Sequence, residues 1–212
     1  MKQIIALLGI GLLVGCSGGK DRTLPILGRQ EIQGSDTVYQ QIADFRFMNQ
    51  DSVWVTNQTF SNKAYVADFF FTSCPSICPI MKKQMLRVYK AFEGNPGISF
   101  LSHTIDPRHD SVPVLKKYAA DLGVSSEQWH FVTGPRETVY ALAENSYMVA
   151  ALEDENAPGG FIHGGHFILV DENRHIRGIY DGTEEASVNQ LIRDIPVLLK
   201  ESEAAGNSKT SE

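Results

Sequence analysis

The sequence predicts an α/β fold: a three-layer arrangement with a mixed central sheet, helices on both faces, and an extra β-hairpin ahead of the core. Three observations lead there. Apolar runs of strand length alternate with segments of helical periodicity through most of the chain. The last strands form a hairpin followed by a helix, which makes the sheet mixed rather than all parallel. The strongest strand, Tyr65-Val-Ala-Asp-Phe-Phe-Phe71, is apolar on both faces and so belongs at the centre of a covered sheet.

Within residues 36–58, Phe45-Arg-Phe47 and Val53-Trp-Val55 flank Asn49-Gln-Asp51, the pattern of a hairpin. After the central strand, Ile80, Met85, Val88, Tyr89 and Phe92 recur near helical spacing from Pro79 onward, and Gly94-Asn95-Pro96-Gly97 stops that helix. Ile98–Ile105 reads as a second strand, Val112–Leu122 as a helix ended by Gly123, and Trp129–Thr133 as a third strand. Glu137–Tyr147 reads as a helix, Phe167–Val170 and Ile176–Tyr180 as a hairpin around Asp171-Glu-Asn173, and Val188–Lys200 as the last helix.

A length of 212 residues suits one domain with appendages. With 42% apolar and 21% charged residues the composition is that of a globular chain. A net charge of -6 and scattered Lys and Arg leave no basic stripe for a phosphate backbone, which argues against nucleic acid as a partner. Lys2 is a positive n-region, Ile4–Val14 an apolar h-region, and Leu13-Val14-Gly15-Cys16 resembles a bacterial lipobox. The apolar run is much shorter than the roughly 20 residues of a membrane span. The expected organisation is a lipoprotein signal peptide over 1–15, lipidation of Cys16, a tether over 16–35, a domain over 36–202 and a flexible tail over 203–212. Ser17 after the lipid-bearing cysteine resembles the pattern sorted to an outer membrane, so the domain is expected in the cell envelope, facing the periplasm.

The chemistry concentrates in Cys74-Pro-Ser-Ile-Cys78-Pro, where the central strand ends and a helix begins, the place where open α/β sheets put their sites. Pro79 suits the first helical position, which puts Cys78 at the cap and Cys74 in the preceding loop. The partial positive charge of the helix N-terminus favours thiolate, the form that attacks disulfides and binds metals. Three intervening residues allow either a disulfide or a metal ion between the sulfurs. A purely structural disulfide closing so short a loop would constrain little chain entropy. Two thiolates select Cu(I), and an added imidazole suits either oxidation state of copper. Of the six histidines, His103 lies mid-strand and His109, His130 and His175 near turns or strand ends, positions typical of packing or surface. His163 and His166 bracket Gly164-Gly165 after a loop rich in Glu, Asp, Pro and Gly, and from composition either is a candidate ligand.

Four blocks together resemble the Sco/SenC family, copper-binding accessory proteins for assembly of the CuA centre of cytochrome c oxidase. They are Phe69-Phe-Phe-Thr-Ser-Cys74-Pro-Ser-Ile-Cys78-Pro, Thr104-Ile-Asp106-Pro107-Arg-His-Asp110-Ser111, Trp129-His-Phe-Val-Thr133-Gly134, and His163 ahead of Phe167-Ile-Leu-Val-Asp171. They occur in the family's order and span most of the mature chain. The resemblance implies a thioredoxin-like fold, Cu(I) or Cu(II) held by Cys74, Cys78 and His163, and a partner that is the oxidase subunit carrying CuA or another copper protein. Family members often carry Asp before that histidine and Ser or Thr after it, where this chain has Ile162 and Gly164, which keeps His166 as a substitute. Asp106 and Asp110 are expected to shape the loop beside the site. The rival to a copper chaperone is a thiol-disulfide oxidoreductase in which Cys74 and Cys78 are the redox pair and reduce a partner's cysteines. A peroxidase is disfavoured by the tight cysteine spacing, and a copper or redox sensing role is compatible with the same residues.

Overall fold

The computed structural model describes residues 22–154 and 157–209; the expected signal segment, Cys16 and the tether up to residue 21 lie outside them. In chain order the strands are β1 (Gln30–Gln33), β2 (Asp36–Tyr39), β3 (Arg46–Asn49), β4 (Trp54–Thr56), β5 (Ala64–Phe70), β6 (Ile98–Thr104), β7 (Trp129–Thr133), β8 (Ala151–Glu153), β9 (Phe161–His163), β10 (His166–Val170) and β11 (Ile176–Asp181). The helices are α1 (Cys78–Ala91), α2 (Val112–Leu122), α3 (Arg136–Asn145) and α4 (Glu185–Lys209). Seven strands form one mixed sheet in the order β11-β10-β5-β6-β7-β3-β4. β5, β6 and β7 run parallel, and β10, β11, β3 and β4 are added antiparallel on the two sides.

Every residue of β5 and β6 is buried, as a central pair covered on both faces requires. Strand alternation divides their side chains between two cores. On one face Phe70 packs beside Tyr118 of α2, and Phe100 beside Tyr89 of α1. On the other Phe69 and His103 pack against Tyr147, just beyond α3. α4 lies on β11 and α1. The second helix ends at Gly123, whose φ of 65° puts it in the left-handed region where the missing Cβ matters most.

The structure adds to several local expectations. The expected upstream hairpin is present as β3 and β4, and β3 also pairs with β7, Met48 opposite Thr133, so that it extends the main sheet by two strands. A further hairpin, β1 with β2, precedes it. The stretch expected as tether already packs from residue 22: Arg22 pairs with Asp194, Leu24 is buried, and Arg177 donates to the carbonyls of Leu24 and Pro25. The last helix continues to Lys209, past the expected end at Lys200 and into the stretch read as a tail.

Candidate metal centre

The site is built at the carboxyl end of β5, where the chain leaves the sheet through Phe71 and Thr72 and turns into α1. Ile77 is the N-cap of α1 and adopts helical φ and ψ, so Cys78 is the first helical residue and Pro79 the second. That is one residue earlier than Pro79 alone suggests. A proline within the first turn lacks only an N–H that has no partner inside the helix, so helical geometry at Cys78 costs no backbone bond. Cys74 sits in the preceding loop, its N–H donating to the carbonyl of Phe71 at 3.2 Å.

The histidine arrives from the other side. After α3 the chain forms β8, turns through Pro158–Gly160, and returns as β9, with Ala151 opposite His163. At the turn Gly159 has a φ of 80°, and a Cβ there would meet Phe71 and Pro75 at about 3 Å, so the hairpin lies directly on the cysteine loop. Phe161 contacts Phe71 with ring centroids 5.0 Å apart, and the Phe71 ring stands edge-on to His163 at 5.9 Å. This packing carries the His163 Nε2 to 3.3 Å from the Cys78 Sγ. One donor atom each from Cys74, Cys78 and His163 lie within 4.8 Å of one another. Donors bound to one ion at about 2.0–2.3 Å stand roughly 3–4 Å apart, so this triangle closes around a small metal ion with little side-chain movement. Both cysteines are free thiols and all three residues are buried.

Electrostatics separates the two sulfurs. Burial opposes ionisation of Cys74, but hydrogen bonds from the Cys78 thiol, the backbone at Ser76 and Cys78 and the Ser76 hydroxyl outweigh it and lower its pKa. Deeper burial, together with the hydrogen bond given to Cys74, pushes Cys78 well up. Burial lowers His163, partly offset by its contact with the Gly164 carbonyl, so the imidazole is neutral near pH 7 with a lone pair available. The arrangement offers one thiol that ionises more easily than an ordinary cysteine, one thiol that ionises when something replaces its proton, and one neutral nitrogen.

The SCO1/SenC family profile matches residues 34–200. The chain belongs to the SCO1/SenC family. It is 30% identical over 172 residues to the SCO1 protein homolog of Bacillus subtilis (strain 168), covering 79% of this chain and 86% of that one. Among solved structures it resembles BsSco, described as having a disulfide switch and as a member of the Sco family of cytochrome c oxidase assembly proteins. That match has 28% identity, a TM-score of 0.67, and covers 76% of this chain and 94% of BsSco. ScoI of Bradyrhizobium japonicum, solved with copper bound, shares the fold at 18% identity with a TM-score of 0.62, over 74% of this chain and 98% of that one. The expected thioredoxin-like architecture is the one the SCO1/SenC chain adopts.

Within this SCO1/SenC chain the structure brings His163 to the thiols and leaves His166 out. His166 opens β10 as an exposed residue opposite Asp181, and it is not among the clustered donors. His130 is buried beside Asn49, His175 lies 3.6 Å from Asp171, and His109 is exposed, all away from the cluster. Asp110 shapes the loop as expected. Fully buried, it accepts from the Thr72 N–H at 3.0 Å, the Thr72 hydroxyl and the Thr104 hydroxyl, tying the cysteine loop to the end of β6. Asp106 accepts a longer contact from the His109 N–H at 3.4 Å. Asp110→Ala strands three donors, so unfolding stability should fall by about 3–5 kcal/mol, with Asp110→Asn losing less; denaturant unfolding of both variants checks this.

Sequence reasoning missed Phe71 as a support for the histidine and the β8–β9 hairpin that delivers it. The adjacent Gly159-Gly160 was the available signal, since both adopt positive φ.

Proposed function

We propose that this chain is a copper-binding assembly factor that delivers copper to the CuA centre of cytochrome c oxidase, with Cys74, Cys78 and His163 as ligands. The observation that carries the reading is the convergence of two thiols and one neutral imidazole at a single strand end. Two soft sulfurs favour Cu(I), and the nitrogen keeps the site usable for Cu(II). Membership of SCO1/SenC, and the description of BsSco within a family of oxidase assembly proteins, support the partner as the oxidase subunit carrying CuA or another copper protein. A lipid on Cys16, following the lipobox-like Leu13-Val14-Gly15, would hold the domain in the cell envelope, facing the periplasm and on the outer rather than the inner membrane.

A second reading has its own observation. The lowered pKa of Cys74 beside a protonated, buried Cys78 is the asymmetry of a thiol-disulfide exchange pair, in which Cys74 attacks a partner's disulfide and Cys78 resolves it. Reduction of a partner's cysteines and delivery of copper to them are compatible steps on one target.

Copper stoichiometry and the Cu(II) charge-transfer spectrum of the reduced protein, beside His163→Ala, test the assignment. One copper per chain is expected, with a thiolate-to-copper band that shifts or collapses in the variant while Cu(I) affinity falls less than for a cysteine change. A protein that retains no copper, yet cycles Cys74 and Cys78 between dithiol and disulfide, is an oxidoreductase instead.

A further inference from the structure

The chain is fastened to the domain as soon as the described residues begin. Arg22 pairs with Asp194 of α4 at 2.7 Å, the Leu24 N–H donates to Glu201 at 2.6 Å, and the Leu24 side chain is buried. Arg177 of β11, nearly buried itself, donates to the carbonyls of Leu24 and Pro25 and pairs with Asp171 and Glu201. Leu27 then bridges to Ile176. Residues 22–27 therefore lie against β11, which is one edge of the sheet; β4 is the other, six strand spacings of about 4.8 Å or roughly 29 Å away. Between this segment and α4 runs a groove of about 250 Å³. Thr23, Val197 and Ala204 give it a largely apolar floor, Arg22 and Lys200 flank it, and the one acid in its lining, Glu201, is already taken by Leu24 and Arg177. Along this side of α4, Arg193, Val197, Lys200 and Ala204 follow one another at helical spacing, cations beside small apolar side chains.

We propose that this edge, residues 22–27 with the neighbouring side of α4, is the surface that the domain lays on a phospholipid bilayer. This rests on the reading that Cys16 carries a lipid. From Cys16 to Arg22 the chain advances six residues, at most about 20 Å even when fully extended. That reach is shorter than the distance across the sheet, so the β11 edge can rest on the headgroups and the β4 edge cannot. The groove has the matching chemistry: Arg22 and Lys200 offer charge to lipid phosphates, while their stems and the apolar floor take the glycerol and the first acyl carbons. With β11 lying along the surface, the strand ends open sideways over the bilayer, and the metal centre at the end of β5 sits two strand spacings, roughly 10 Å, above the edge. A copper acceptor held in the same membrane meets the centre from the side.

The test places the full chain, as extracted from membranes, in vesicles of phosphatidylethanolamine and phosphatidylglycerol that contain a phospholipid brominated near the headgroup end of its acyl chains. Wild type has one exposed tryptophan, Trp54 on β4; the double variant Trp54→Phe/Ala204→Trp moves the exposed indole to the groove, and Trp129 is buried in both. Ala204 is exposed, so the fold should carry the change. The brominated lipid should remove most of the exposed-indole emission of the double variant and leave Trp54 bright. Quenching of wild type equal to or above that of the double variant, or none in either, overturns the proposal. A Gly/Ser insertion of about 20 residues between Lys20 and Asp21, a coil roughly 25 Å across, should return the double variant to the brightness of wild type. Quenching unchanged by that insertion overturns the tether as what sets the orientation. Flotation with the vesicles and the mass of the Cys16 peptide are read on the same proteins: no lipid on Cys16 sinks the anchor and the orientation together, while a lipidated chain that floats with its groove indole unquenched sinks only the orientation.

Discussion

Cys78→Ser will abolish tight Cu(I) binding, with a loss in affinity beyond the roughly 10–100-fold that follows removal of an outer hydrogen-bond partner of a metal ligand. Cys78 is the hub of the cluster. Its sulfur is 3.3 Å from the His163 Nε2 and hydrogen-bonds to Cys74, and it is 5% exposed at the first residue of α1. A serine there offers a harder oxygen that does not ionise near neutral pH, so a soft cation loses a donor and gains nothing comparable. Cys74→Ser should do the same for the sulfur most easily ionised in the metal-free state. The fold should survive both changes, because the loop is held by Asp110, Thr72 and Thr104 and the hairpin by Phe71 and Phe161, none of which needs the sulfurs. Competition against a chromogenic Cu(I) chelator reads the affinity directly. Wild-type competition by either serine variant would mean that copper binds elsewhere.

The legible parts of this chain are those that local rules dictate. β7 and α2 fall where apolar periodicity and the stop at Gly123 place them, because each boundary is set within a few residues of itself. The cysteine pair was legible for the same reason: a strand followed at once by a helix-starting proline places both sulfurs at the helix N-terminus, to within the one residue by which the helix starts earlier. The choice between His163 and His166 was not local. It turns on a three-residue pairing of β8 with β9, too short to leave a periodicity, and on the close approach of Gly159 to Phe71, which only tertiary packing creates. Resemblance to a family supplied what spacing left open. The hairpin at β3 and β4 was visible as a hairpin, but its union with β7 depends on partners more than 80 residues away. Asp68 lies within an otherwise apolar strand, and a single acid within seven buried positions leaves no trace in an alternation pattern. The extension of α4 past Lys200 was hidden by small and charged residues that look like a tail, although Glu201, Glu203, Ala204 and Ala205 are good helix formers.

Acid will weaken the fold through His103, and His103→Phe will remove that weakness. The ring is completely buried in β6, stacked on Phe69 at 4.9 Å and edge-on to Phe45 and Phe47, with neither nitrogen hydrogen-bonded. Burial lowers its pKa from 6.5 to about 3, because a charged imidazole has no partner there. A depressed histidine makes the unfolded chain the better proton acceptor below pH 6.5, so its contribution to stability is complete above that value and is lost as the pH falls toward 3. The loss runs at about 1.4 kcal/mol per pH unit over that window, on the order of 5 kcal/mol in all. Asp68 acts in the opposite sense. Its carboxyl is raised from 3.8 to about 7, so its contribution is present in acid and is lost as the pH rises through that range. Across pH 4–6.5 the two slopes oppose each other, and the wild-type profile should be flatter than either alone. The informative quantity is therefore the difference between His103→Phe and wild type in urea unfolding. Phenylalanine keeps the ring stacking and buries no unpaired nitrogen, so the variant should be more stable at pH 7.5 by about 1–3 kcal/mol. The gap should widen by a further 2–3 kcal/mol or so at pH 4.5. A gap of equal size at both pH values would mean that His103 finds a partner or a route to solvent when it is protonated.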